Sequence, residues 1–220
     1  MSSTSFLRAR RPDQKRQRRD AILAAARDLA STSGVGTVTL GAVADAVGLA
    51  KSNISRYFGT REEIYLELLA EEWQDYAAAV TAGLANARDA QAAIGVVAET
   101  IIERTLFCDL LSHLPTSLEL NASVEAARAF KLAVNTQLGT VGAALAAVTD
   151  LTEQEAVELV AAAGGMAGLL YRAMNPPPSL AQVYQENPEL AATFSASLPS
   201  LARILTALAA GMPTIRRTAP

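Results

Sequence analysis

The eleven residues from Lys51 to Arg61, K-S-N-I-S-R-Y-F-G-T-R, hold cations and hydrogen-bond donors but no acid. A short helix is predicted from about Lys51 to Phe58, broken by Gly59-Thr60, with Ile54 and Phe58 on one side. Lys51, Ser52, Asn53, Ser55, Arg56 and Tyr57 fall on the other. That inventory suits base edges and phosphates. Arginine can grip guanine with two bonds, asparagine can do the same to adenine, and serine is permissive. Any amphipathic surface helix has a polar outer face, but glutamate is usually common there. Its absence points to a polyanionic partner.

The flanking sequence supplies elements to position this face. Thr39 is a good N-cap for a short helix, Leu40 to Val47. Gly48 follows, where a tight turn needs positive φ. Val43, Val47, Leu49, Ile54 and Phe58 are spaced to bury both short helices against a preceding one. That earlier helix is predicted from Arg16, with an apolar stripe of Ile22, Ala26, Leu29 and Ala30. It ends at Gly34. Thr60 caps a fourth helix from Arg61 to about Val80, carrying Ile64, Leu68 and Trp73. Two short helices meeting at a glycine follow helix-turn-helix logic, in which the second enters the major groove.

The charge is distributed accordingly. Residues 1–61 carry a net +7 and residues 62–220 a net −10, which the overall −3 conceals. Residues 1–15 are polar and basic with Pro12, and read as a flexible arm whose arginines could reach DNA.

Composition excludes other classes. Half of the 220 residues are hydrophobic, with only 5% aromatic. An apolar mass of mostly Ala, Leu and Val argues against an all-β protein, and the helices read along the chain predict an all-α one. One cysteine, Cys108, and one histidine, His113, exclude a disulfide framework, any multi-Cys metal site and His-pair metal motifs. No nucleophile elbow, P-loop or dinucleotide fingerprint occurs. The pairs Glu62-Glu63 and Glu71-Glu72 read as solvated faces. No enzyme, cofactor or metal is therefore expected. The longest uncharged apolar run, Leu159 to Tyr171, has 13 residues, against the ~20 a membrane span needs. No secretory signal is read at the start, so a cytoplasmic location and no membrane partner are expected.

Beyond Val80, helices are predicted near 90–106, 106–114, 124–148, 152–174 and 193–212. Pro115, Asp150, Pro176-Pro177-Pro178 and Pro188 punctuate them. Thr152 with Glu155 forms a capping box. Pro199 fits the first turn of a helix capped by Ser197, or kinks a longer one.

Residues 16–76 resemble the DNA-binding domain of the tetracycline-repressor (TetR/AcrR) family. A helix ending at Gly34 is followed by T-L-G-A-V-A-D-A-V-G-L and K-S-N-I-S-R-Y-F-G-T-R-E-E-I. Thr39, Ala44, Gly48, Leu49, Tyr57, Phe58, Arg61 and Ile64 fall in the family's order. The resemblance implies a helix-turn-helix at about 39–58 and, over 77–220, a helical ligand-binding and dimerisation domain. Thr39, Lys51, Tyr57 and Arg61 would touch phosphates, and Ser52, Asn53, Ser55 and Arg56 base edges. The sequence departs from the family at Ala50, where a Ser or Thr cap is usual. That loss costs about 1 kcal/mol of helix stability.

The resemblance also implies a small-molecule pocket in the second domain. Trp73, Phe107, Leu111, His113, Asn121, Phe130 and Tyr171 are candidate lining, since a pocket needs apolar walls and few polar anchors. For each of them singly, core packing is the alternative role. The helix 152–174 is rich in small residues, among them Gly164, Gly165 and Gly168. These would be explained by another helix packing very close. The last helix carries a stripe of Leu198, Leu201, Leu205 and Leu208. In the resembling family two such helices from each subunit form a four-helix dimer interface. The expected function is a homodimeric regulator, a repressor released from a palindromic double-stranded DNA operator by a small molecule. A TetR-like activator, or a helical scaffold with a basic RNA- or membrane-binding head, is the alternative.

Overall fold

The computed structural model describes residues 3–197 and 200–216, and they form helices and turns with no strand. The helices are α1 (Ser3–Ser33), α2 (Leu40–Ala46), α3 (Lys51–Ile54), α4 (Arg61–Leu84), α5 (Ala90–Ile102) and α6 (Thr105–His113). After a wide π-type turn at Leu114–Leu118 come α7 (Val124–Ala146), α8 (Glu153–Met174), α9 (Pro178–Glu186), α10 (Pro188–Ser197) and α11 (Leu201–Gly211). The expected all-α class holds.

The chain divides into two compact units. The first, the head, is Met1–Glu71 together with His113–Lys131, and the second, the body, is Glu72–Ser112 with Leu132–Pro220. The expected boundary at residue 76 missed the return of His113–Lys131 to the head. In the head, Ile22, Leu23, Ala26 and Ala30 of α1 are buried with Val43, Ile54, Phe58, Ile64 and Leu68. The periodic stripe of α1 therefore does what its spacing predicts. In the body α5, α8 and α11 pack on one another, burying Ile94, Val97, Leu159, Val160, Leu201 and Leu205.

Three elements differ from expectation. The segment read as a flexible arm is helical from Ser3. It has no apolar stripe, so periodicity gave no signal. Its Arg, Lys, Gln and Ala residues are nonetheless good helix formers. The triple proline does end α8, but Pro178 starts a further helix, α9, where a proline at the first helical position is tolerated. The last predicted helix is two, α10 and α11, with Ser200 capping the second through the Arg203 amide. Leu198 and Pro199 lie outside the described residues.

Helix α8 begins at the expected capping box, with the Thr152 hydroxyl and the Glu155 carboxylate each accepting the other's amide. By length and composition it could cross a bilayer. One face, Ala156, Leu159, Val160, Ala163, Gly164, Ala167 and Gly168, is nevertheless buried in the body, as in the core helix of a folded domain.

Candidate nucleic-acid interface

The recognition element begins at Thr39, whose extended backbone and hydroxyl cap α2 by accepting the Ala42 amide at 3.1 Å. Gly48 then takes φ +65°, a left-handed conformation that glycine adopts without steric cost. The Leu49 amide reaches back to the Ala44 carbonyl at 2.9 Å and closes the turn. Ala50 stands at the N-cap of α3 with no side-chain bond to it.

Helix α3 is accordingly shorter than the predicted Lys51–Phe58. Its regular part ends at Ile54, and the chain tightens through Arg56 N–H to Asn53 O and Tyr57 N–H to Ile54 O. The Ser55 hydroxyl donates to the Ser52 carbonyl at 2.7 Å, a local bond that competes with helix continuation. Ile54 and Phe58 are buried, while Lys51, Ser52, Ser55 and Arg56 are exposed and Asn53 and Tyr57 half-buried. The expected polar face thus sits outward. The side chains of Lys51 and Arg56 make no hydrogen bond or ion pair with any described residue.

Arg61 departs from its expected phosphate role. Its guanidinium points inward, donating to the Val38 carbonyl at 2.9 Å and the Val35 carbonyl at 3.4 Å, and it pairs with Glu62. It holds the loop before α2 against the start of α4. The family resemblance implied an outward cation here. The partners that turn it inward are 23 and 26 residues away, and no local pattern announces them.

Two braces were likewise invisible to sequence reasoning. Arg19 donates to the Tyr57 carbonyl at 2.6 Å, pairs with Glu67, and lies 4.0 Å from the centre of the Phe58 ring. It fixes the end of the recognition element from α1. Glu63 accepts the Gly59 amide at 2.7 Å and the Ser123 amide at 3.2 Å. Partial burial pushes its carboxyl up, but the Ser123 hydroxyl and the Gly59, Ser123 and Thr60 amides outweigh that and hold it below its ordinary value. His113 packs at the α1–α2 loop, where a Cβ on Gly36 would lie 3.2 Å from Cε1 of its ring. The segment 113–131 therefore grips the head at both Gly36 and Glu63.

The candidate pocket residues fall in both units. Trp73 and Phe107 stack edge-to-face at 5.1 Å, with Tyr76 against both. They and Leu111 belong to the packed core of the body. Tyr171 is half-buried there, and burial with the Asp109 and Cys108 charges raises its pKa. His113, Asn121 and Phe130 belong to the head. Asn121 is exposed, its amide donating to the Ser117 carbonyl. A cleft of about 360 Å³ in the body has other walls, including Ile94, Leu151, Thr206 and Pro213.

The small residues of α8 also need a correction. A Cβ on Gly164 would lie 3.1 Å from the Trp73 ring, and one on Gly168 would lie 2.9 Å from the Leu111–Ser112 backbone. The close approach expected between subunits at these two positions is made within the chain. Leu201 and Leu205 are buried in the same body. Gly165, with nothing within 4 Å of a Cβ, and Leu208, 38% exposed, face outward.

A capped helix and a glycine turn that present an acid-free second helix make the head a DNA-binding helix-turn-helix domain. Residues 22–68 match the model of bacterial regulatory proteins of the tetR family, and residues 70–216 match that of the tetracyclin repressor-like C-terminal domain. The chain belongs to the TetR family of transcriptional regulators. The family's members are DNA-binding regulators and not enzymes. Solved structures share the fold. FadR of Thermus thermophilus, a TetR family transcriptional repressor in complex with lauroyl-CoA, aligns at 20% identity and TM-score 0.58, covering 92% of this chain and 97% of its own. A possible TetR family regulator from Streptomyces coelicolor aligns at 18% and 0.57, covering 90% and 100%. The fatty acid degradation regulator FadR of Bacillus halodurans aligns at 13% and 0.52, covering 90% and 99%. No curated protein matches the sequence.

Proposed function

We propose that this regulator is a homodimeric repressor that leaves a palindromic operator when a small molecule binds its body. The outward face of Lys51, Ser52, Asn53, Ser55 and Arg56, with no acid and with no partner among the described residues for its two cations, carries the reading. Arg56 and Asn53 read base edges; Thr39, Lys51 and Tyr57 hold phosphates. Two copies place their recognition helices in successive major grooves, so the operator is two-fold symmetric. The outward residues Gly165, Leu169 and Leu208 form the dimer surface, which the 62% exposure of Leu169 supports.

The effector acts by favouring a conformer with misplaced recognition helices. The grip of segment 113–131 on Gly36 and Glu63 supports this, because that segment joins α6 and α7, whose larger parts belong to the body. Selection of bound sequences from random duplex DNA tests the reading. A two-fold symmetric sequence should be enriched, and Arg56→Ala should relax one position in each half. Enrichment of no sequence, or of an asymmetric one, would reject it.

A further inference from the structure

Beside the recognition element, α1 lines a groove of about 700 Å³ with Gln14, Lys15, Gln17, Arg18 and Ala21, and Tyr57 completes it. These five positions recur at helical spacing along one face of α1. Among the described residues its lining contains no acid. Lys15 and Arg18 are exposed, and their side chains bond to no described residue. The next cations on the same helix behave differently. Arg19 is engaged by Tyr57 O and Glu67, and Arg27 by Glu71 at 2.9 Å. Lys15 and Arg18 are therefore not internal braces. They stand with amide donors in an open groove that the recognition element itself borders. A groove offering two cations and the amide and hydroxyl donors of Gln14, Gln17 and Tyr57, with the small Ala21 in its wall, fits a phosphodiester backbone.

We propose that this groove is a second seat for duplex DNA, where Lys15 and Arg18 hold backbone phosphates flanking the base pairs reached from Ser52 to Arg56. The inference rests on the DNA-binding reading above. It assigns α1 a positioning role without base readout, because phosphates carry no sequence information.

The test uses the full-length protein and the duplex that selection enriches. K15Q/R18Q should flatten the salt dependence by about 0.9 log unit per contact, so that between about 50 and 200 mM salt it loses roughly tenfold less affinity than the wild type. Its base preference should not change. Both substitutions are on the surface, and an unaltered circular dichroism spectrum will confirm folding. Methylphosphonates at the flanking phosphates should weaken the wild type and leave K15Q/R18Q unaffected. That arm reads the contact through the DNA should the variant fold poorly. An unchanged salt slope, equal sensitivity of both proteins to methylphosphonates, or an altered base preference would overturn the seat while leaving the DNA-binding reading intact. A wild type that enriches no duplex but binds anionic phosphatidylserine vesicles would overturn both.

Discussion

In the head, three arginines are tied to its own fold: Arg19 to Glu67 and the Tyr57 carbonyl, Arg27 to Glu71, and Arg61 to the Val35 and Val38 carbonyls. Lys15, Arg18, Lys51 and Arg56 are left open on the same unit. In the body, Arg104 lies near Glu72 and Arg216 grips Glu155, and the glycines of α8 admit Trp73 and the Leu111–Ser112 backbone. The contrast teaches that a net charge or a run of small residues does not say what it meets. The +7 of residues 1–61 is part scaffold and part partner surface, and α8's glycines are divided in the same way.

The sharpest break of that comparison is at α8. Gly168→Ala places a methyl group 2.9 Å from backbone atoms, which cannot rotate away. It should cost about 1–3 kcal/mol of stability as overpacking, read as a lower urea midpoint. Gly165→Ala meets nothing within 4 Å and should gain up to about 1 kcal/mol from helix propensity. Loss of the dimer by Gly165→Leu in sedimentation would place that outward position in the subunit interface. Equal costs for the two alanine variants would erase the distinction between inward and outward glycines.

The arginines of the head give a second pair. Arg61→Ala removes donors from two carbonyls and should cost about 1–3 kcal/mol of stability, seen in thermal or urea unfolding without DNA. Arg56→Ala should leave unfolding unchanged and cost about 1–3 kcal/mol of affinity for the best duplex. A variant of Arg61 with native stability and uniformly weaker DNA binding would restore it as a phosphate contact.

What the sequence made legible divides along the same line. Local signals survived. Examples are the caps at Thr39 and Thr152, the glycine turn at Gly48, the stripe of α1 from Ile22, and the outward placement of Lys51, Ser52, Ser55 and Arg56. Each depends on neighbours within a few residues. Long-range partners stayed hidden. Arg61 and Val38 are 23 residues apart, Arg19 and Glu67 are 48, and Glu63 and Ser123 are 60. A tertiary contact of that kind has no period to read. A pocket lining was illegible for a related reason, since an aromatic such as Trp73 has the same sequence signature whether it lines a cavity or fills a core. The polar start of α1 was misread because periodicity reports burial, not helicity.

The effect expected to be smaller lies at the end of the described chain and tests whether the body's charges are structural. Arg216 donates to both Glu155 oxygens at 2.7 Å and to the Asp150 carbonyl at 2.6 Å. The Arg216 bonds, and then the Thr152 amide, bring the Glu155 carboxyl down to about 2. A carboxyl with a lower pKa folded than unfolded stabilises the fold above its ordinary value of 4.5, and loses that contribution as pH falls towards 2. The Arg216 side chain is 43% exposed, so the contribution is modest and screened by salt. Arg216→Gln should therefore lower the thermal midpoint slightly at pH 7. It should also make the decline between pH 4.5 and 2 shallower than in the wild type, because less of the shift remains to be lost. Raising the salt concentration should shrink the difference between the two proteins. A variant with the same acid limb as the wild type would show that the grip on Glu155 adds nothing to the body. A variant unchanged in stability but weaker on DNA would place Arg216 with the open cations of the head, on the other side of the comparison.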